Sequence, residues 1–309
     1  MVTHTIEDIK GVIPAQVTTF DADGNLDEDR MARCTRFLLG RGVDGLYLTG
    51  STGEGFMMSP EERKRVVEIV IREVAGRLPV IVHVGAISTH LTVDLAQHAQ
   101  AAGADALSSV PPIYWNFTPD QIVTYYADIT ASTDLPMIAY NVPLAGALGF
   151  DVIERLAKIA GMVGIKYTAP THHEILRIKQ EIDPDFRVYS GVDEMALSGL
   201  AFGADGLIGS FYNIIPEVYL ALCAAMREGR LEEAQELQET ANKVIFFTLK
   251  QHPTSALKRI MAWQGADAGY CRKPFDNYFS SADEEALKDA YRGLRDREKL
   301  VGVDFLEAL

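Results

Sequence analysis

The 309-residue chain has few of the features that mark a secreted or membrane-bound protein. It contains only three cysteines, Cys34, Cys223 and Cys271, and none of them forms a Cys-x-x-Cys pair. A disulfide framework is therefore not expected, and a reduced, cytoplasmic setting fits this cysteine usage best. The N-terminal stretch MVTHTIEDIK lacks the apolar segment beside a basic one that a signal peptide would have.

Long apolar runs and an excess of positive charge are missing as well. No stretch approaches the roughly 20 uninterrupted apolar residues that cross a bilayer. Acidic residues outnumber basic ones by 43 to 29, which gives a formal net charge of −14. Because such a surface repels nucleic acid and anionic membranes, we expect neither of them as a partner.

The sequence lacks the usual nucleotide-binding and metal-binding patterns in its glycine-rich segment 50–55 and at its paired histidines 172–173. The segment GSTGEG at 50–55 lacks the G-x-G-x-x-G and G-x-x-x-x-G-K spacings, which argues against a dinucleotide enzyme. His172 and His173 are neighbours in a predicted first helical turn, so their side chains diverge and no metal site is expected there.

Eight short runs rich in Val, Ile and Leu recur along the chain. They are near-continuous rather than alternating, which is typical of strands that are buried on both faces in a parallel sheet. Helical segments between them begin with capping-box patterns at 59–62, 118–121 and 171–174. Eight strand–helix units predict a (β/α)8 TIM barrel over residues 1–225. The runs lie at 11–20, 45–50, 79–85, 105–112, 136–143, 162–168, 187–193 and 205–210.

The rest of the chain carries helical patterns alone, at 231–251, 253–263 and 281–296. No Gly/Ser-rich or Pro-rich linker separates it from the barrel. We therefore expect residues 226–309 to form a C-terminal helical extension that packs on the barrel rather than an independent module.

Polar residues cluster at the predicted strand ends, and in a (β/α)8 barrel the carboxyl ends of the strands carry the active site. Each of these polar residues, taken by itself, has an ordinary structural explanation. A lysine at a strand end usually extends into water, a tyrosine there is usually a core residue with a bonded hydroxyl, and two acids favour a helix N-terminus. The residues concerned are Ser51, Thr52, Tyr114, Tyr140, Lys166, Thr168, Gly191, Asp193, Glu194, Gly209 and Ser210.

The combination points to a specific chemistry. Burial in a barrel mouth would favour the neutral amine of Lys166, and neutral amines attack ketones to form Schiff bases. Tyr140 is the nearest proton carrier by strand order. Backbone N–H groups at 50–53, expected at the start of a helix, could hold a substrate carboxylate.

Four motifs occur in order on the expected strands: GSTGE (50–54), YNVP (140–143), GIK (164–166) and GADG…GS (203–210). On these motifs the chain resembles the class I aldolases of the N-acetylneuraminate lyase and dihydrodipicolinate synthase superfamily, over nearly its whole length. Ser51-Thr52, GVDE at 191–194, YNI at 212–214 and CRKPF at 271–275 are similar to the lyase branch. The synthase branch carries an arginine shortly after Tyr-Asn-x-Pro, and YNVPLAGALGF has none.

The resemblance implies a role for each candidate residue. Lys166 would form an imine with C2 of a small keto acid, and Tyr140 would move the proton of the C4 hydroxyl. Ser51 and Thr52 would hold the carboxylate, and Ser51 and Tyr140 would share a proton relay with Tyr114 of a neighbouring subunit. The implied reaction cleaves N-acetylneuraminate to pyruvate and N-acetylmannosamine in a homotetramer, without metal or organic cofactor. The implied sugar contacts are Thr168, Gly191, Asp193, Glu194, Gly209 and Ser210.

Other functions stay open at this point. Tyr167, Pro170 and Phe211 depart from the lyase pattern near the expected sugar site, so the acyl group and chain length of the substrate are not determined. A related pyruvate-dependent aldolase or dehydratase for another 2-keto-3-deoxy sugar acid would keep Lys166 and Tyr140, and the synthase reaction is a further alternative. A binding protein or sensor without turnover is disfavoured by the intact set of reactive residues.

Overall fold

Eight parallel strands form a barrel in the computed structural model, which describes residues 3–278 and 280–309. The strands follow one another around the sheet, and the predicted (β/α)8 barrel is confirmed. It closes where the N–H of Gln16 donates to the carbonyl of Tyr47 over 2.9 Å, beside a parallel bridge between Ala15 and Tyr47. The strands are β1 (Gly11–Pro14), β2 (Leu46–Leu48), β3 (Val80–His83), β4 (Ala106–Ser109), β5 (Met137–Asn141), β6 (Met162–Tyr167), β7 (Arg187–Ser190) and β8 (Gly206–Gly209).

A helix follows each strand and covers the barrel. Short 3-10 turns lie at Ile6–Asp8, Gly55–Met57, Pro143–Ala145, Asp193–Met195 and Phe211–Asn213, and a π turn at Ile178–Ile182. The helices are α1 (Glu28–Gly40), α2 (Pro60–Val74), α3 (Thr89–Ala102), α4 (Pro119–Ala131), α5 (Phe150–Ala157), α6 (His173–Arg177), α7 (Ala196–Ala201) and α8 (Pro216–Arg227).

Two of the three predicted helix starts are confirmed. Ser59 and Thr118 close complete capping boxes at α2 and α4, where proline occupies the first turn. The third prediction, at 171–174, is wrong. Helix α6 begins at His173 without a side-chain cap, because the hydroxyl of Thr171 is bonded to the hydroxyl of Tyr167 at 2.7 Å.

Alternation along the strands divides the buried side chains between the barrel interior and the layer beneath the helices. Ile165 and Tyr167 belong to the outer layer, so Lys166 between them faces the interior. In the same way Ala139 faces outward and Tyr140 faces inward. The interior is filled by Ile9, Ile13, Ala15, Tyr47, Ile81, Ala106, Val110, Ile138, Tyr140, Val142, Tyr189 and Ile208.

The three predicted C-terminal helices are confirmed as α9 (Leu231–Thr248), α10 (Pro253–Trp263) and α11 (Ser281–Glu298), and a short α12 (Asp304–Glu307) follows. They share an apolar cluster with β1, β8 and α8. The division of the chain at 225 stays a prediction; α8 continues to Arg227. Of the helices in the described part of the chain, none is both long and apolar enough to span a bilayer.

Candidate active site

Lys166 lies inside the barrel mouth and is only 4% exposed. Its nitrogen is 4.0 Å from the centre of the Tyr140 ring and 4.8 Å from that of Tyr47. Within residues 3–278 and 280–309 it donates no hydrogen bond and forms no ion pair. The simple explanation that this lysine carries its charge out to water is therefore wrong.

Tyr140 is the cross-strand neighbour of Lys166, since the two residues are in register between β5 and β6. It is 4% exposed, and its ring meets the rings of Tyr47 and His83 edge-on at 6.2 and 6.1 Å. Among the described residues no hydrogen-bond partner of its hydroxyl is found, unlike the bonded hydroxyl of an ordinary core tyrosine. A free hydroxyl beside a buried amine is suited to proton transfer.

Two residues of this aromatic pocket were missed by sequence reasoning. The Tyr47 hydroxyl donates to Ser108 Oγ at 3.1 Å. The His83 ring, on β3, is hydrogen-bonded to the residues that follow β2 and β4. His83 Nε2 accepts the N–H of Val110 at 3.2 Å, so Nδ1 carries the proton and donates to the carbonyl of Thr49 at 3.2 Å. Burial, with smaller effects of nearby cations, holds the pKa of His83 well below its usual range. Both residues lie within apolar runs. The only signal in the sequence is the alternation of side chains along β2 and β3, which places Tyr47 and His83 on the side that faces the barrel interior.

The loop after β2 presents Ser51 and Thr52. Ser51 is exposed, whereas Thr52 Oγ1 shares a hydrogen bond of 2.6 Å with Ser210 Oγ after β8. This bond brings two of the predicted binding residues together across the barrel mouth. The expectation that this loop lies at a helix N-terminus is wrong. Because Gly55–Met57 forms a separate 3-10 turn, α2 begins only at Pro60, and any anion-binding N–H groups belong to the loop itself.

Asp193 connects the ends of β7 and β8. Its Oδ2 accepts the N–H of Phe211 at 2.8 Å, and a methyl group on Gly209 would lie 1.8 Å from its Oδ1. Burial raises the pKa of Asp193 to about 7, although the Phe211 N–H opposes the shift. The carboxyl group thus packs directly against the eighth strand, which requires glycine at 209.

Thr168, Gly191 and Glu194 complete the side of the mouth formed by β6 and β7. A methyl group on Gly191 would lie 1.9 Å from Thr168 Oγ1 and 3.0 Å from Lys166 Cε. Gly191 therefore lies directly against both Thr168 and Lys166. Thr168 Oγ1 is buried and has no partner among the described residues. Glu194 is half-buried, and no hydrogen-bond partner of its carboxylate occurs in that part of the chain either. Both groups therefore have unused hydrogen-bonding capacity at the barrel mouth.

Tyr114 is not brought to Lys166 within its own chain. It is 86% exposed, has a φ of 87°, and stacks edge-on with Trp115, itself 63% exposed, at 4.7 Å. This loop after β4 presents two large aromatic rings to the outside.

Tyr167, Pro170 and Phe211, which depart from the lyase pattern, were expected near the sugar site. For the Tyr167 side chain this expectation is wrong. Its ring belongs to the layer between strands and helices, so it does not face the mouth. Pro170 is exposed, and Phe211 reaches the site through its backbone N–H to Asp193.

The fold and the inward-facing amine define a class of protein, namely (β/α)8 barrels with a buried lysine at the carboxyl end of the sixth strand. Within this class, residues 8–291 match the sequence model of the dihydrodipicolinate synthetase family. The chain belongs to that family.

Individual relatives are similar over almost their entire length. N-acetylneuraminate lyase of Citrobacter koseri is 39% identical over 287 residues, which cover 92% of this chain and 95% of that protein. The catalytic lysine mutant of Ruminococcus gnavus sialic acid aldolase superimposes with a TM-score of 0.89 at 31% identity, covering 96% and 99% of the two chains. CdNal of Clostridium difficile, solved with mannosamine, gives 0.89 at 32% identity over 93% and 99%.

Proposed function

We propose that the protein is a carbon–carbon lyase, a class I aldolase that reversibly cleaves N-acetylneuraminate to pyruvate and N-acetylmannosamine through a Schiff base on Lys166. The observation that carries this proposal is the buried amine of Lys166, which lies against Tyr140 without an ion-pair partner in the described chain. The names of the Citrobacter and Ruminococcus relatives support the substrate, and the mannosamine complex of CdNal supports an amino-sugar product.

In the proposed reaction the neutral Lys166 nitrogen attacks the C2 ketone, and loss of water gives an imine. Once protonated, the imine accepts the electron pair of the C3–C4 bond as that bond breaks. Tyr140 removes the proton of the C4 hydroxyl, so that C4 leaves as the aldehyde of N-acetylmannosamine. The remaining enamine takes a proton at C3, and water then releases pyruvate and restores the amine.

The substrate carboxylate is proposed to bind Ser51, Thr52 and the N–H groups of their loop. Ser51 and Tyr140 would pass the proton on through the Tyr114 of a neighbouring subunit. The exposed Tyr114–Trp115 pair supports such an arrangement, because aromatic residues are enriched at subunit interfaces. We further propose a homotetramer in the cytoplasm, where the cysteines, all of them unpaired, would stay reduced.

The sugar chain is proposed to extend from Lys166 toward β6, β7 and β8. The unpartnered Thr168 hydroxyl and Glu194 carboxylate support this direction, because hydroxyls of a sugar could satisfy both. The residues proposed to contact it are Thr168, Gly191, Asp193, Glu194, Gly209 and Ser210.

A substrate panel tests the proposal. Purified protein is incubated with N-acetylneuraminate, with shorter 2-keto-3-deoxy sugar acids, and with pyruvate plus aspartate semialdehyde, and pyruvate is measured with lactate dehydrogenase. We expect equal amounts of pyruvate and N-acetylmannosamine from N-acetylneuraminate, and none with Lys166→Ala. Pyruvate release from a shorter acid alone would replace the sialic acid assignment with a related aldolase. Pyruvate consumption with the semialdehyde alone would indicate the synthase.

A further inference from the structure

A fully buried ion pair connects the loop after β2 to the C-terminal extension. Lys258 Nζ of α10 lies 2.6 Å from Glu54 Oε1, and the exposed fraction of both side chains is 0%. The two residues are 204 positions apart in the sequence. Glu54 is the last residue of the GSTGE motif, and the reaction proposed above does not use it.

Each member of the pair makes a further hydrogen bond. Glu54 Oε2 accepts the N–H of Arg272 at 2.8 Å, and Lys258 donates to the carbonyl of Tyr270 at 2.5 Å. Lys258 further lies 4.8 Å from the centre of the Phe20 ring. Buried ion pairs are often no more stabilising than well-packed apolar residues, because desolvation offsets their attraction. Stability alone therefore does not account for the pair.

Backbone strain at the loop suggests what the pair does. Thr49 and Glu54, which flank residues 50–53, both have a φ of 55°. Left-handed backbone is rare for residues other than glycine, particularly for a β-branched threonine, and it persists only where the surroundings hold it. Thr49 is held by His83, whose carbonyl accepts its hydroxyl at 2.7 Å. At the other end the Glu54 side chain is held by Lys258.

We propose that Glu54 and Lys258 are positioning residues that keep loop 50–53 in the shape that binds the substrate carboxylate, so that the C-terminal extension is part of the active site. This inference rests on the proposed function, in which Ser51 and Thr52 hold that carboxylate. The side chains of Glu54 and Lys258 are fully buried in each other's company, so we assign them a role in shaping the loop and not in contacting the substrate. They act through the backbone of a loop whose Gly53 carbonyl is also fixed, by the hydroxyl of Thr18 at 2.7 Å.

Arg259 provides a matched control on the same helix. It is another buried cation, 8% exposed, and it pairs with Asp267 at 2.8 Å and with the carbonyl of Gly269. These partners belong to the extension itself. Since neither partner belongs to loop 50–54, we expect removal of this cation to perturb the extension while the Glu54–Lys258 pair stays formed.

The experiment measures binding of pyruvate alone. The variants Lys258→Met, Glu54→Gln and Arg259→Met are incubated with increasing pyruvate, reduced with borohydride and analysed by mass spectrometry, and their unfolding in urea is followed in parallel. We expect the half-saturating pyruvate concentration to rise roughly 10- to 100-fold in Lys258→Met and Glu54→Gln, because small displacements of binding groups have large effects. The maximal extent of trapping should not change, and Arg259→Met should need the same pyruvate concentration as the wild type.

The double variant Glu54→Gln/Lys258→Met separates positioning from folding. It leaves no unpaired buried charge, so we expect it to resist urea better than Lys258→Met while its requirement for pyruvate stays high. Wild-type pyruvate binding by the folded single and double variants would overturn the inference. An equal rise in Arg259→Met would also overturn it, since the effect would then be general to the extension.

The same measurements distinguish this inference from the proposed function. If the wild type traps pyruvate but does not cleave N-acetylneuraminate, the substrate assignment is lost and the positioning role is still tested by pyruvate binding. If the wild type traps no pyruvate, the Schiff base and the role of the loop are both refuted.

Discussion

The nitrogen of Lys166 lies over the face of the Tyr140 ring, 4.0 Å from its centre, and no carboxylate is hydrogen-bonded to it in the described chain. A direct carboxylate partner would hold the ammonium in its charged form, which is not nucleophilic. Ring faces attract a cation more weakly, so they tolerate both the neutral amine and a protonated imine. This arrangement suits a group that must change its charge during the reaction.

The first prediction concerns the imine. Borohydride reduction in the presence of pyruvate should add one stable adduct, and peptide mapping should place it on Lys166. Lys258 serves as an internal control, because it is equally buried but paired with Glu54. Lys166→Ala should remain unlabelled under the same conditions. An adduct of equal yield in that variant would show that another amine reacts.

The second prediction separates imine formation from cleavage. Tyr140→Phe removes only the free hydroxyl, so pyruvate trapping should persist while kcat for cleavage falls roughly 10²- to 10⁴-fold, the usual contribution of a positioned acid–base group. Tyr47→Phe is the matched control, since that ring also faces Lys166 but its hydroxyl is bonded to Ser108. If both variants lose activity equally, or if Tyr140→Phe keeps normal kcat, Tyr140 is not the proton carrier.

The barrel and its helices were predictable because most local signals agree with the fold. Buried parallel strands leave apolar runs, and prolines in first helical turns mark α2 and α4. The incorrect start at 171–174 has a cause only four residues away: the Thr171 hydroxyl is bonded to the Tyr167 hydroxyl instead of capping the helix. The helix-start pattern by itself does not show that the threonine hydroxyl is bonded to this tyrosine.

Residues at strand ends were recognisable from sequence, but those that support them were not. Lys258 stands in the helical pattern SALKRIMAW like any amphipathic lysine, and its partner Glu54 is 204 residues away. His83 and Tyr47 lie inside apolar strands. The role of their polar atoms can be assigned only when their hydrogen-bond partners on the neighbouring strands are known. Long-range pairing of this kind requires the fold.

The third prediction tests whether Tyr114 acts in a neighbouring subunit. Inactive Tyr114→Phe and Lys166→Ala chains are mixed under conditions that exchange subunits. Mixed assemblies should contain sites with an intact Lys166 from one chain and an intact Tyr114 from the other, so part of the activity should return. Trp115→Phe, in the same exposed pair, should keep its activity without mixing. Subunit exchange without recovery would argue against a shared site.

The fourth prediction concerns substrate preference. Glu194 is half-buried with an unpartnered carboxylate, and a site built to bond hydroxyls discriminates against analogues that lack them. Glu194→Ala should therefore raise KM for N-acetylneuraminate more than KM for a shorter 2-keto-3-deoxy acid. Steady-state kinetics on both substrates measures the ratio. An unchanged preference would mean that Glu194 merely favours the following helical turn, as acids near helix N-termini often do.

The last prediction concerns the pH dependence of stability. Burial raises the pKa of Asp193 from an ordinary 3.8 to about 7. Between about pH 4 and pH 7 the folded protein therefore keeps a proton that the unfolded chain has lost. Since Asp193 binds fewer protons in the unfolded state, its contribution to the free energy of unfolding falls as the pH rises through this range. The Asp193 contribution amounts to roughly 4 kcal/mol at most, and it levels off about one pH unit above the pKa of the folded state.

Asp193→Asn isolates this contribution, because its amide oxygen can still accept the Phe211 N–H but does not titrate. Urea unfolding of the wild type and of Asp193→Asn at pH 5 and pH 8 gives the comparison. Groups that do not interact with Asp193 titrate equally in both proteins, so the difference between their pH dependences reports Asp193 and its coupling to Glu194. We expect the change in the free energy of unfolding from pH 5 to pH 8 to be less favourable in the wild type than in the variant. Equal losses would mean that Asp193 is already ionised in the folded protein at pH 5.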